Sequence, residues 1–418
     1  MRYWDGGQWI ASSPIASSPA WENPKPGTEH RTRRRLILAT AAGVVAALVA
    51  VVVLVVTHHQ VKPAAIGGPI LDGTYRLVYD DSQRTKNGAT VPLRRSSDKP
   101  DLKFWAFRSR CTAAGCVATG TQLDPNKPTV ALTAAAAAAS GGSQLTSVLH
   151  FADGHWSSEP ARVTGYPPTC LSGDTVGPGS ETVLSSKTFS PQPDGTFNGV
   201  AEGTFLTNGC GHQGSVDQMP FVASRTGDVP AGVAIADPAE VPVAATATST
   251  PPSTPAGSPV LNGVYRITFD NTQQTKPLTG DAKDPKKTWA DESWAFRSEC
   301  SSTRCVATGA SLAETNQREA SGVASVVLEF IDGRWQSSPP GRLLAPDPCP
   351  LGAASDQSNR NWSVEPEPEG TLRGVQTDTV VSDQCGLRGS EYTTPMAVTR
   401  TGDVPPAVIL ADPSLFLS

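Results

Sequence analysis

Helical periodicity is missing from almost all of this 418-residue sequence, which excludes a helical bundle and leaves strands and turns as the building material. Long hydrophobic runs are equally scarce. A single uncharged stretch, the 22 residues from Leu36 to Thr57, is long enough to cross a membrane as a helix. No concentration of basic residues follows that stretch. Of 34 Lys and Arg against 39 Asp and Glu, the first 35 positions hold six against three, leaving 28 against 36 and a net of −8 for the rest. A mildly acidic exterior argues against a nucleic-acid partner, which needs a concentrated basic face. The patterns G-x-S-x-G and H-E-x-x-H are absent, as is any phosphate-binding glycine loop, so three common catalytic routes are excluded.

The one apolar run is predicted to cross a membrane. At about 1.5 Å per residue it reaches roughly 33 Å, enough for a hydrocarbon core of about 30 Å. Arg31, Arg33, Arg34 and Arg35 stand directly before it. Their charge is expected to hold residues 1–35 in the cytoplasm and send residues 60–418 outside the cell membrane. A cleaved signal usually has an apolar part of about 7–15 residues and a small-residue cleavage site. This run is longer and closes on Val55-Val56-Thr57-His58-His59 without an A-x-A, so a retained anchor is expected.

Outside, the sequence states itself twice. Leu71-Asp72-Gly73-Thr74-Tyr75-Arg76 returns as Leu261-Asn262-Gly263-Val264-Tyr265-Arg266, an offset of 190. Trp105-Ala-Phe-Arg108-Ser-x-Cys111 returns as Trp294-Ala-Phe-Arg297-Ser-x-Cys300, and Cys116-Val-Ala-Thr-Gly120 as Cys305-Val-Ala-Thr-Gly309, at an offset of 189. The offset falls to 179 at Asp153-Gly154-x-Trp156 and to 175 at Arg225-Thr-Gly-Asp-Val-Pro230. Each fall marks a deletion in the second copy and therefore a loop in the first, as at the alanine run Ala134–Ala139. The predicted organisation is 1–10 as a short aromatic motif, 11–35 a flexible cytoplasmic segment, 36–57 the transmembrane helix and 58–69 an external tether. Modules at 70–238 and 260–413 follow, joined by the Pro/Thr/Ser linker 239–259 and closed by the tail 414–418.

Within each module apolar and polar residues alternate, as at Tyr75, Leu77 and Tyr79 or at Trp105 and Phe107, the period of a strand. Asp153-Gly154 between two such runs predicts a hairpin, because D-G supplies the positive φ the turn needs. The expected fold is an all-β ectodomain of two tandem antiparallel modules, each a barrel or a sandwich, after a single transmembrane helix.

All eight cysteines lie beyond the apolar run, four per module. An even count repeated in register outside the membrane predicts disulfides, with the favoured pairing Cys111 with Cys116, Cys170 with Cys210, Cys300 with Cys305 and Cys349 with Cys385. The wide spacing is not that of zinc knuckles, and no metal site or cofactor is expected.

Chemistry common to both modules must use residues present in both. His150, His155 and His212 correspond to Glu329, Arg334 and Leu387, so no catalytic set is shared and no catalytic residue is assigned. The shared acids Asp80/Asp270, Asp153/Asp332, Asp228/Asp403 and Asp237/Asp412 mostly stand beside Gly or Pro, where Asp favours turns. Arg108 and Arg297, inside the repeated aromatic strand, are the candidate ligand contacts, since a guanidinium can hold an anion by two hydrogen bonds.

Arg2-Tyr3-Trp4-Asp5-Gly6-Gly7-Gln8-Trp9 resembles the closing half of the DUF2510 family of actinobacterial membrane proteins; the opening W-Y-x-D-P half is absent. The repeats, through W-A-F-R-S-x-C, C-V-A-T-G and R-T-G-D-V-P, are similar to paired external modules of mycobacterial membrane proteins, some carried by receptor-type Ser/Thr kinases. No kinase domain is expected within residues 1–35 before the span. The expected function is a non-enzymatic, sensor-like module binding a ligand or protein of the cell envelope. An envelope enzyme using the histidines of module one, or a structural spacer, are the alternatives.

Overall fold

The computed structural model describes residues 2–4, 9–11 and, with internal gaps, 70–242 and 260–417. The predicted span, the tether and most of the linker lie outside the described residues. At the N-terminus Arg2–Trp4 pairs with Trp9–Ala11, placing Trp4 opposite Trp9. The rest is nearly all antiparallel β.

Module one closes as an eight-stranded up-and-down barrel. Its strands are β1 (Gly73–Tyr79), β2 (Asp101–Thr112), β3 (Gly115–Asp124), β4 (Thr146–Ala152), β5 (His155–Ser158), β6 (Glu181–Pro191), β7 (Phe197–Phe205) and β8 (Val216–Gly227). Each pairs with the next, and β8 returns to β1 with Ala223 opposite Leu77. Module two repeats this with β9 (Gly263–Asp270), β10 (Trp289–Cys300), β11 (Cys305–Leu312), β12 (Ala320–Ile331), β13 (Arg334–Ser337), β14 (Ser358–Pro366), β15 (Leu372–Val380) and β16 (Glu391–Gly402), closed by β16 on β9. Closure removes sheet edges, and at eight strands the interior is just wide enough for side chains to fill. The β4–β5 hairpin turns at Asp153 (φ 51°) and Gly154 (φ 84°), and its copy at Asp332 (50°) and Gly333 (80°). Ala134–Ala139, which the second copy lacks, forms one short helix beside the barrel with Ala137 buried.

The motifs common to both copies seal one end of each barrel. Leu71 and Leu261 are fully buried there. Their amides donate to Ser109 Oγ (3.1 Å) and Ser298 Oγ (2.9 Å), and the amides of those serines donate to Asp72 Oδ1 and Asn262 Oδ1. Arg225 Nε donates to the Asp72 carbonyl at 3.0 Å while its Nη2 meets Asp228, and Arg400 does the same with Asn262 and Asp403. The chain after each last strand then lies along the outer face of the second and third strands. Thr119 donates to the Ala236 carbonyl (2.6 Å) and Thr308 to that of Ala411 (2.6 Å). This is why Ala106 and Ala295, on outward positions, are buried.

The two barrels touch directly. The Thr85–Lys86 and Ala89–Thr90 hairpin of module one turns at Asn87 (φ 54°) and Gly88 (φ 91°) and packs Ala89 into the outer apolar cluster of Val264, Ala295, Leu312 and Val408. Ile409 N donates to the Asn87 carbonyl at 3.0 Å, Asn208 Nδ2 to the Gly341 carbonyl at 2.7 Å, and the hydroxyls of Ser215 and Ser325 lie 2.8 Å apart.

Candidate binding site at the mouth of barrel one

Opposite its sealed end, the described residues of barrel one surround an opening. Tyr79, Asp101, Lys103 and Trp105 from β1 and β2 and Lys187, Ala201 and Met219 from β6 to β8 surround a cavity of about 230 Å³. Below it the barrel is filled with aromatic rings: Phe107, Phe189, Phe197 and Phe221 pack edge to face, with centroid separations of 5.1–6.3 Å among them.

The second copy supplies an internal comparison. The register pairs Lys187 with Ala201 and Trp362 with Gln376, which makes Lys187 and Trp362 equivalent. Trp362 stands edge-on to Trp294 at 4.8 Å and donates to Gln376 Oε1 at 3.2 Å. Gln376 donates on to Asp378, and Asp378 holds Arg360 through two bonds of 2.9 and 3.1 Å. Glu292, 3.9 Å from Arg360, accepts from the Trp294 indole at 2.8 Å. That closed network spans the mouth of barrel two. Its members Glu292, Arg360, Trp362, Gln376 and Asp378 are Lys103, Ser185, Lys187, Ala201 and Gly203 in barrel one, all on the cavity wall. Deeper down the exchange runs the other way, since Phe189, Phe197 and Phe221 become Val364, Leu372 and Met396. Side-chain volume sits low in barrel one and high in barrel two, so each interior has a filled core, and among the described residues the positions that line the cavity of barrel one carry the network in barrel two.

Charge in the cavity is distributed unevenly. Arg84 is bound to Asp217, and Lys103 Nζ lies 3.8 Å from Asp101. Asp217 keeps its Oδ1 buried without a protein partner among the described residues. Lys187 is held by Gln144 Oε1 at 3.0 Å and by the face of Trp105, its Nζ 5.0 Å from the ring centroid, and no described carboxylate pairs with it. Withdrawal from water, and secondarily Lys103, pull the Lys187 ammonium down to about 8. Burial also pushes the Tyr79 hydroxyl up.

The residues singled out from the sequence lie elsewhere. Arg108 and Arg297 are exposed on the outer faces of their barrels and do not reach the cavity. Arg108 borders a groove with Asp72 and Asp237, while Arg297 faces the cleft where Leu184 of barrel one meets Leu415. The histidines are not brought together. His150 Nε2 is 2.9 Å from Glu159, His155 Nδ1 faces its neighbouring Asp153 carbonyl, and His212 Nδ1 is 2.9 Å from Glu181. Glu181 and Cys210 sit with His212 close enough to suggest a metal site. Cys210 is disulfide-bonded, however, so its sulfur is committed and only two ligands remain. Glu181 is instead a structural acid, accepting from the amides of Cys210 (2.9 Å) and His212 (3.2 Å), and Asp356 does the same for Gln384 and Cys385 in module two. That Glu-for-Asp pair escapes a search for identical residues. The disulfides Cys111–Cys116 and Cys300–Cys305 bridge neighbouring strands. Cys385 is also disulfide-bonded, and the side chains of Cys170 and Cys349 lie outside the described residues.

The family model described as the PknI serine/threonine-protein kinase sensor domain matches residues 68–240 and again 258–415. Serine/threonine-protein kinase PknI of Mycobacterium tuberculosis and of Mycobacterium bovis are each 36% identical over 201 residues, 47% of this chain and 32% of the relative. The chain therefore spans about a third of the length of those curated relatives. The solved monomer form of the M. tuberculosis PknI sensor domain is 28% identical, over 38% of this chain and 98% of that one, with a TM-score of 0.30. The dimer form is 29% identical over 34% and 99%, with a TM-score of 0.27. These matches correct the identification with DUF2510, since the matching family is the sensor domain and covers the two outer modules. Tyr3, Trp4 and Trp9 belong to a short pair of antiparallel strands, and D-G between aromatic residues is a general turn signal rather than a family signature.

Proposed function

The chain belongs to the PknI serine/threonine-protein kinase sensor domain family, and from that premise we propose that it is a membrane-anchored, non-enzymatic sensor whose ligand site is the mouth of barrel one. In this reading Leu36–Thr57 is the anchor and both barrels stand outside the cell membrane. The modules run over 70–238 and 260–413, and Cys170–Cys210 and Cys349–Cys385 are the remaining disulfides. The partner is a small molecule of the cell envelope.

The observation that carries the proposal is the exchange of five mouth residues between two copies of one barrel. Nothing in the stability of an eight-stranded barrel requires an open mouth, because barrel two fills the same positions with a satisfied network. Pockets that bind small molecules are concave, largely apolar and carry a few convergent polar groups, and the barrel-one cavity has that character.

The test copies the second barrel into the first. A variant with Lys103→Glu, Ser185→Arg, Lys187→Trp, Ala201→Gln and Gly203→Asp is expected to fold with a closed mouth. Small envelope-derived compounds that raise the melting temperature of the wild-type chain should leave this variant unmoved. Equal responses from both proteins would remove the pocket from consideration.

A further inference from the structure

We infer that barrel one takes a small anion, a carboxylate or phosphate ester on a short apolar body, with Lys187 as its anchor. The inference rests on the pocket reading and adds the chemistry of its occupant. Three cations line the cavity, and two are already matched by acids: Arg84 by Asp217, and Lys103 by the Asp101 carboxylate 3.8 Å away. Lys187, half-buried on β6, turns its ammonium to a neutral amide and an indole face, its neighbours in contact among the described residues. An ammonium withdrawn from water without a counter-ion is costly, and a bound anion would supply the missing charge.

The comparison between copies points the same way. Where the mouth is plugged, Lys187 is replaced by Trp362 and Lys103 by Glu292, so the cation disappears together with the cavity. Trp105 and Trp294 are retained in both, which separates the role of the indole as barrel filling from the role of the lysine. Apolar side chains also stand on the wall with Lys187, namely Trp105, Val183, Ala201, Phe205 and Met219, while the acids of the same wall are engaged by others: Asp101 by Lys103, Asp217 by Arg84 and Glu202 by Gln218. The volume of about 230 Å³ is below the roughly 300–1,000 Å³ of pockets that enclose drug-sized ligands, so the apolar body is a short chain or a single ring.

Three fluorinated probes of one shape test this on the full chain in lipid nanodiscs, followed by 19F NMR titration: 4-fluorobenzoate, 4-fluorophenyl phosphate and uncharged 4-fluorobenzyl alcohol. At least one anion should bind the wild type saturably and bind Lys187→Met at least tenfold more weakly, with Lys187→Arg retaining most of the affinity. The alcohol should not distinguish wild type from Lys187→Met. Whichever anion binds more tightly identifies the head group as carboxylate or phosphate. If all three probes, or the alcohol alone, bind wild type and Lys187→Met alike, the pocket stands and the anion inference falls. If none binds a chain whose circular dichroism is that of a folded β protein, both fall. Should Lys187→Met not fold, Lys187→Gln, neutral and polar, replaces it with the same expected loss.

Discussion

A lysine ammonium withdrawn from water against an indole, with no carboxylate paired to it among the described residues, weakens the fold that contains it. Lys187 falls from an ordinary 10.5 to about 8, and each tenfold loss of proton affinity corresponds to about 1.4 kcal/mol, so its charged form costs the folded state about 3 kcal/mol. The folded pKa is depressed below the unfolded one. The destabilisation is therefore complete below about pH 8 and disappears as pH rises toward 10.5. Lys187→Met is expected to raise the melting temperature at pH 7 by several degrees, with the gap over wild type closing by pH 10.5, as differential scanning calorimetry at both values would register. The groups facing Lys187 define the background: Lys103 and Asp101 on β2, Tyr79 on β1, Asp217 with Arg84, and Glu202 on β7. Because both proteins retain them, the difference between the two isolates Lys187. An unaltered melting temperature at pH 7 would mean the ammonium is solvated in the barrel. A substitution that stabilises the fold while weakening ligand binding is the expected mark of a binding residue kept at the expense of stability.

At the level of strands and turns, the sealed end of each barrel is more tightly specified than the open one. Gly73 and Gly263 have φ of +108° and +120°, and a Cβ there would stand 2.5 Å from the Gly227 carbonyl oxygen and 2.4 Å from that of Gly402. Gly73→Ala or Gly263→Ala is expected to lower stability by about 2–3 kcal/mol in urea unfolding, through both the clash and the unfavourable backbone conformation. The Cys111–Cys116 bridge closes only a short loop, so the double alanine variant should lose about 2 kcal/mol or less by the same measurement. The sealed end was legible in the sequence because its contacts require particular residues: L-D-G returns as L-N-G, W-A-F-R-S and R-T-G-D-V-P return unchanged, and all three meet there. Alternation at Tyr75, Leu77 and Tyr79 and the D-G turns gave the strands. Barrel closure was not legible, because it depends on pairing β8 with β1, about 150 residues away, and no local pattern encodes that. The pocket escaped for a different reason. Lys103, Ser185, Lys187, Ala201 and Gly203 are scattered over three strands and form no motif, and a search for residues that the two copies share passes over a site made by residues in which they differ.

The two barrels behave as one body if the hairpin between β1 and β2 holds them together, and that hairpin starts at the pocket. Arg84 and Asp217 form part of the cavity wall, and the next residues, Thr85 and Lys86, pair with Gln218 and Asp217 on β8 before the chain turns at Asn87-Gly88 into contact with barrel two. A ligand that displaces Arg84 would thus act on the segment that docks against Val264, Leu312 and Val408. Gly88 is the most constrained point of the contact. Its φ is +91°, and a Cβ would lie 2.1 Å from the Ala407 carbonyl oxygen of module two. Gly88→Val is therefore expected to separate the barrels while leaving each one closed. The wild-type chain is expected to unfold in one calorimetric transition, the variant in two, and small-angle scattering of the variant should show a larger radius of gyration. In the variant a ligand of barrel one should raise only one of the two transitions, whereas in the wild type it raises the common one. If Gly88→Val keeps one transition and an unchanged radius, the hairpin is not what joins the modules. Ligand occupancy in barrel one would then have no path to barrel two through Arg84, and the second barrel would serve as support for the first without sharing its response.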